Sequence, residues 1–167
     1  TAGSVALTAR ATGADGGFAS GAANAGFGGD ANSVATGTTA GDGHDVTVHG
    51  SARAGNGGNI LSGGQSRAGR GANAISSSTG IALGNSIVFV TDQATGSQGG
   101  LINSGTGTAG DGGSGNSSAY GLNHGEASVT VQASARGGNG RPNPLGIPSA
   151  GGAAFALDQL TQLIDHP

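Results

Sequence analysis

The chain has 167 residues, enough for one domain, and carries 38 glycines, no cysteine, methionine or tryptophan, and only 9% charged residues. A net charge of −3, with six dispersed arginines as the only basic residues, excludes the basic footprint of a nucleic-acid binder, and the missing cysteines exclude a disulfide framework. No apolar run approaches the ~20 residues that a spanning helix needs, so no membrane span is expected.

VALTARATGADGG from Val5 returns as VTVHGSARAGNGG from Val46, VFVTDQATGSQGG from Val88 and VTVQASARGGNGR from Val129. Residues 1–152 therefore read as four tandem repeats of ~41 residues, and 153–167 as an apolar end-piece. In each repeat the first segment alternates as a strand. Val5, Leu7, Ala9, Ala11; Val46, Val48, Gly50, Ala52; Val88, Val90, Asp92, Ala94; and Val129, Val131, Ala133, Ala135 face inward. These columns taper from valine to alanine or glycine, so the facing layer must come closer at the glycine end.

A turn follows each strand, with Asp15 and Gly16, Asn56 and Gly57, Gln98 and Gly99, and Asn139 and Gly140 in equivalent places. Asx side chains that bond their own backbone and glycines at positive φ account for these residues as structural turns. A glycine-rich middle comes next, readable as weak strand, polyproline-II-like segment or ordered loop. Second strand candidates begin at Ala31, Ala72 and Gly115, with Val34 and Ile75 aligned at a spacing of 41. In the fourth repeat Pro142, Pro144 and Pro148 remove ladder donors before AFALDQLTQLIDHP. Leu157, Leu160 and Ile164 in that tail have helical spacing, whereas Phe155, Leu157 and Leu163 alternate; a short helix is favoured over a capping strand. These five residues are the expected assembly contacts.

Fixing a residue costs about 1–2 kcal/mol, and a buried CH₂ returns only ~0.8 kcal/mol. Alanine-lined interiors thus require close backbone packing, a partner's surface, or both. The expected fold is all-β: a four-unit flattened β-solenoid ended by a short helix or capping strand, with a β-sandwich or a polyglycine II array as alternatives.

Candidate chemistry is sparse. Asp45 and His49 share one strand face near Asp42 and His44 and are the weak metal candidates. Asp15, Asp30, Asp42 and Asp111 could ligate calcium through their oxygens, but they stand singly beside glycines where a site needs clustered oxygens, and GGSGN and GGNGR lack the aspartate of the nonapeptide calcium repeat. No G-x-S-x-G elbow occurs, and Glu126 is the only glutamate, so no catalytic residues, cofactor or enzymatic activity are expected. Threonines 8, 12, 47, 91, 95 and 130 suggest flat ladders like those of ice-binding proteins, but Arg53, Arg136, His49 and Phe89 interrupt them.

The GNGG and AGDGG segments resemble glycine-rich repeats of bacterial surface and secreted proteins, including mycobacterial PE-PGRS arrays and β-solenoid adhesins. The resemblance implies a non-enzymatic role at the cell surface or outside the cell. The expected function is a self-assembling subunit of an extracellular filament, sheath or matrix, in a homo-oligomer or homopolymer. An adhesin stalk that binds glycan or a receptor is the alternative.

Overall fold

The computed structural model describes residues 3–62, 65–143 and 145–163. Eight strands follow one another: β1 (Val5–Thr12), β2 (Ala31–Thr39), β3 (Val46–Arg53), β4 (Ala74–Ala82), β5 (Val88–Thr95), β6 (Gly115–Asn123), β7 (Val129–Arg136) and β8 (Ala154–Gln162). Odd strands form one sheet in the order β1-β3-β5-β7, and even strands a second in the order β2-β4-β6-β8. Every pairing between these strands is parallel and without slippage, from Val5↔Val46 to Thr95↔Arg136 and from Ala31↔Ala74 to Asn123↔Gln162.

The inner faces are small and graded. Val46, Val48, Val88 and Val90 form a buried apolar cluster with Ala35, Ala82 and Ala119. Opposite the valines runs a glycine column, Gly37, Gly80 and Gly121; a β-carbon on Gly37 would lie 2.9 Å from a Val48 methyl. The branched side chains fill the space that the missing β-carbons leave, which lets the two sheets close together. Further along, the core narrows to alanines 31, 52, 54, 72, 74 and 94.

Beyond the alanines the filling is bare backbone. Gly29 N–H donates to the Ala14 carbonyl, Gly55 to Gly29, Ala72 to Gly55, Ser97 to Ala72, Gly113 to Ser97, Gly138 to Gly113 and Gly152 to Gly138. This zigzag knits facing segments of successive repeats. A parallel one runs from Gly17 through residues 26, 58, 69 and 100 to Gly110. A third small cluster, Ala25, Ile60, Ala68 and Ile102, closes the far side.

The expected fold class is corrected here. Instead of a flattened β-solenoid with a short terminal helix, the chain forms two facing, all-parallel four-stranded sheets, with no helix among the described residues. The β-sandwich and polyglycine alternatives give way too, because every strand pairing is parallel rather than the antiparallel pairing of a sandwich, and the glycine segments flank the strands rather than replace them. The tail becomes β8 because nine residues pair along the open side of β6, satisfying backbone groups that a short isolated helix would stabilise only marginally. Val34 and Ile75 are not partners: β2 and β4 are offset by 43 residues, so Val34 meets Ser77 and Ile75 meets Asn32.

Candidate functional site

Three features combine polar chemistry with defined geometry, and one of them lies inside the sheets. Asp92 on β5 points inward and is only 3% exposed. Its Oδ1 accepts hydrogen bonds from the hydroxyls of Ser76 (2.7 Å) and Ser78 (2.6 Å) on β4; its Oδ2 accepts from the Ser117 hydroxyl (2.6 Å) and Ser118 N–H (3.3 Å) on β6. Four donors in place of water make a buried carboxylate tolerable. The carboxylate thereby ties one sheet to two strands of the other. Its inward position follows from strand alternation; its serine partners come from the other strand family, and only the stacking brings them near.

Acidic and amide side chains on the rim do a second job. Asp15 Oδ1 accepts the Asn56 N–H (2.7 Å), Asp30 accepts Asn73 (2.8 Å), Asp42 accepts Asn85 (2.7 Å), Asp45 accepts Ile87 (3.0 Å) and Asp111 accepts Ala150 (3.0 Å). Each side chain caps an N–H about one repeat further on, so these aspartates join levels rather than gather around an ion. His49 Nδ1 lies 2.6 Å from Thr91 Oγ1, with its ring edge-on to Phe89 at 5.7 Å. The candidates Asp45 and His49 are thus engaged with different neighbours. Among the described residues no group of three or more His, Cys, Asp or Glu could hold a metal ion.

The turn residues require a different explanation from the one their types suggest. Among the described residues no non-glycine has positive φ, and the positive-φ glycines are Gly21, Gly41, Gly43 and Gly105. Gly16, Gly57, Gly99 and Gly140 are instead places of close approach, where a β-carbon would collide with backbone of the facing segment. Asp15 caps the next repeat, while Asn56, Gln98 and Asn139 line shallow surface grooves together with Arg53, Arg136 and Arg141.

The third feature is the C-terminal end of the stack. Strands β7 and β8 each pair on one side only. Within the sheets, inward residues donate toward the following repeat, as Val88 N–H does to Ser128. In the same phase, Val129, Val131, Ala133 and Ala135 of β7 aim their N–H groups off the open edge. Asp158 on β8 folds onto one of them, accepting from Ala133 N–H. Phe155, Leu157, Leu160 and Leu163 are all substantially exposed there, with Leu145 and Ile147 on the same last level. Ile164 lies outside the described residues. At the opposite end, the Ser33 hydroxyl of β2 is buried with no hydrogen-bond partner among the described residues.

No protein-family model matches the chain, and no curated protein or solved structure matches it either.

Proposed function

We propose that this chain is a non-enzymatic structural protein that self-associates, as a subunit of an extracellular or cell-surface filament, sheath or matrix. The observation that supports this most is the last level of the stack, where two open strand edges coincide with five exposed large apolar side chains outside the inward glycine column, Leu145, Ile147, Phe155, Leu157 and Leu163. Unpaired edges template further strands, and apolar surface beside them adds a non-directional drive to association. The interior supports the same reading, since the buried carboxylate of Asp92 is consumed by hydrogen bonds that hold the sheets together. The resemblance to glycine-rich surface arrays supports the location.

Sedimentation velocity across a wide concentration range, with negative-stain micrographs of the same samples, tests the proposal. Concentration-dependent growth into elongated particles is expected. A monodisperse 15.5 kDa species at every concentration would reject it. That outcome favours the second reading, a surface module that binds glycan. The observation behind it is a groove of about 170 Å³ where Phe27, 72% exposed, stands beside Asn24, Arg67, Arg70 and Asp111. An aromatic face with amide, guanidinium and carboxylate groups around it is a sugar-type recognition surface.

A further inference from the structure

The two ends of the stack carry groups that complete each other, and this step rests on the self-association proposed above. We infer that a second copy of this chain docks head to tail, its β1 and β2 continuing the sheets beyond β7 and β8 of the first, with Asp158 of one copy meeting Ser33 of the next.

Strand lengths match, eight residues for β7 and β1 and nine for β8 and β2. Their phases match as well: among the described residues, inward residues of β7 and β8 offer free N–H and C=O groups, apart from the Ala133 N–H that Asp158 holds, while on β1 and β2 the free groups belong to outward residues such as Ala6, Thr8, Asn32 and Val34. Every internal junction joins these two kinds of edge, as when Val5 N–H donates to the Asp45 carbonyl. Continuing the register would put Val129 beside Val5 and Ala154 beside Ala31. The zigzag ladder of the glycine segments ends in the same complementary way. The Gly152 carbonyl at one end and the Ala14 N–H at the other have no hydrogen-bond partner among the described residues, and the next step of the pattern joins them.

Side chains add a second, independent observation. In this register Ala156 lies beside Ser33 and Asp158 beside Ala35, so Asp158 and Ser33 become diagonal neighbours at ~7–8 Å between backbones, within side-chain reach. The Thr8 carbonyl of the incoming copy takes over the Ala133 N–H, and the released carboxylate accepts the Ser33 hydroxyl that a single chain leaves orphaned. Serine hydroxyls bound to an inward aspartate are what the Asp92 cluster already contains. On the outer face Leu157 covers Val34, which is 67% exposed in one chain. A symmetric tail-to-tail pairing of β8 about its midpoint would instead set Asp158 against Asp158, two like charges with no cation between them.

The chain has no cysteine, so single thiols report the geometry directly. Val34→Cys and Leu157→Cys variants are prepared separately, mixed, and oxidised gently. Head-to-tail docking places these outward positions opposite each other on adjacent strands, within disulfide range. The expected result is a disulfide-linked dimer of twice 15.5 kDa in the mixture, containing one copy of each variant, and no dimer from either variant alone. Larger species that yield only homotypic disulfides, or none, would overturn the head-to-tail geometry while leaving self-association standing. A unit that stays monomeric in sedimentation, with no cross-link in any sample, would overturn both.

Discussion

The carboxylate of Asp92 occupies the space where a β-carbon on Gly50, its register partner one strand away, would stand. The same β-carbon would also crowd the Ser78 hydroxyl. In the outer repeats that column holds Ala9 and Ala133, so a glycine beside an aspartate is a matched exchange within an otherwise alanine-lined position.

Gly50→Ala is expected to destabilise the fold by about 1–3 kcal/mol through overpacking. Asp92→Ala should cost about 3 kcal/mol, because the hydroxyls of Ser76, Ser78 and Ser117 lose their acceptor in a buried site. The double variant restores the alanine column of the outer repeats. Its loss is expected to fall short of the sum of the single losses by about 1 kcal/mol or more. Urea unfolding of the four proteins, followed by far-ultraviolet circular dichroism, gives that coupling energy, and strict additivity would contradict the matched exchange.

Glycines in this chain divide by what surrounds them. A β-carbon on Gly100 would run into the Gly58 carbonyl and come within 3.2 Å of the Gly69 nitrogen, whereas one on Gly17 meets nothing within 4 Å. Gly100→Ala must therefore push apart segments that are hydrogen-bonded on both sides, at a cost of about 3 kcal/mol. Gly17 has ordinary φ, so Gly17→Ala should be neutral or stabilise by up to about 1 kcal/mol by restricting the unfolded chain. Comparing their urea midpoints checks the contrast; equal losses would mean that composition, rather than close approach, governs these positions.

Much of this organisation can be read from period and alternation. The odd strands begin at Val5, Val46, Val88 and Val129 as the repeats do, and their inward residues are those that alternation selects. What the sequence conceals are features decided by a neighbour. Leu157 and Leu160 carry helical spacing, yet the nine-residue pairing with β6 overrides it. Val34 and Ile75 look equivalent because both are apolar and 41 apart, but an offset of 43 in that sheet places both on the outer face in different rungs. The turn aspartates reach the next repeat, not their own turn, and only stacking reveals that acceptor role.

Ser33 separates stability from assembly. The residue is only 4% exposed and its hydroxyl has no partner among the described residues, an arrangement that costs about 1–3 kcal/mol. Ser33→Ala should raise the unfolding free energy of the single chain by about 1 kcal/mol. If the hydroxyl belongs to Asp158 of the preceding copy, the same change weakens self-association, so sedimentation and urea unfolding are expected to move in opposite directions. A variant that is both more stable and equally associative would detach Ser33 from the junction.

Leu160 is the misfit of the open end. The equivalent positions in β2, β4 and β6 are Gly37, Gly80 and Gly121, each pressed against valines of the facing strands; a β-carbon on Gly121 would already lie 2.7 Å from a Val131 methyl. On the last level Leu160 has no strand across from it on one side and is 56% exposed. An incoming β1 would bring Val5 and Leu7 against it, so the junction must open by the width of its side chain, and overpacking of this kind costs about 1–3 kcal/mol. Leu160→Ala is therefore expected to tighten head-to-tail association by about tenfold or more while changing the stability of the single chain little, because the leucine is largely solvated there. Phe155→Ser and Leu157→Ser, on the outer face of the same strand, should loosen association instead. Dissociation constants from sedimentation decide the matter: if Leu160→Ala loosens association as much as the two outer changes, Leu160 is a contact of the interface and not an obstacle to it.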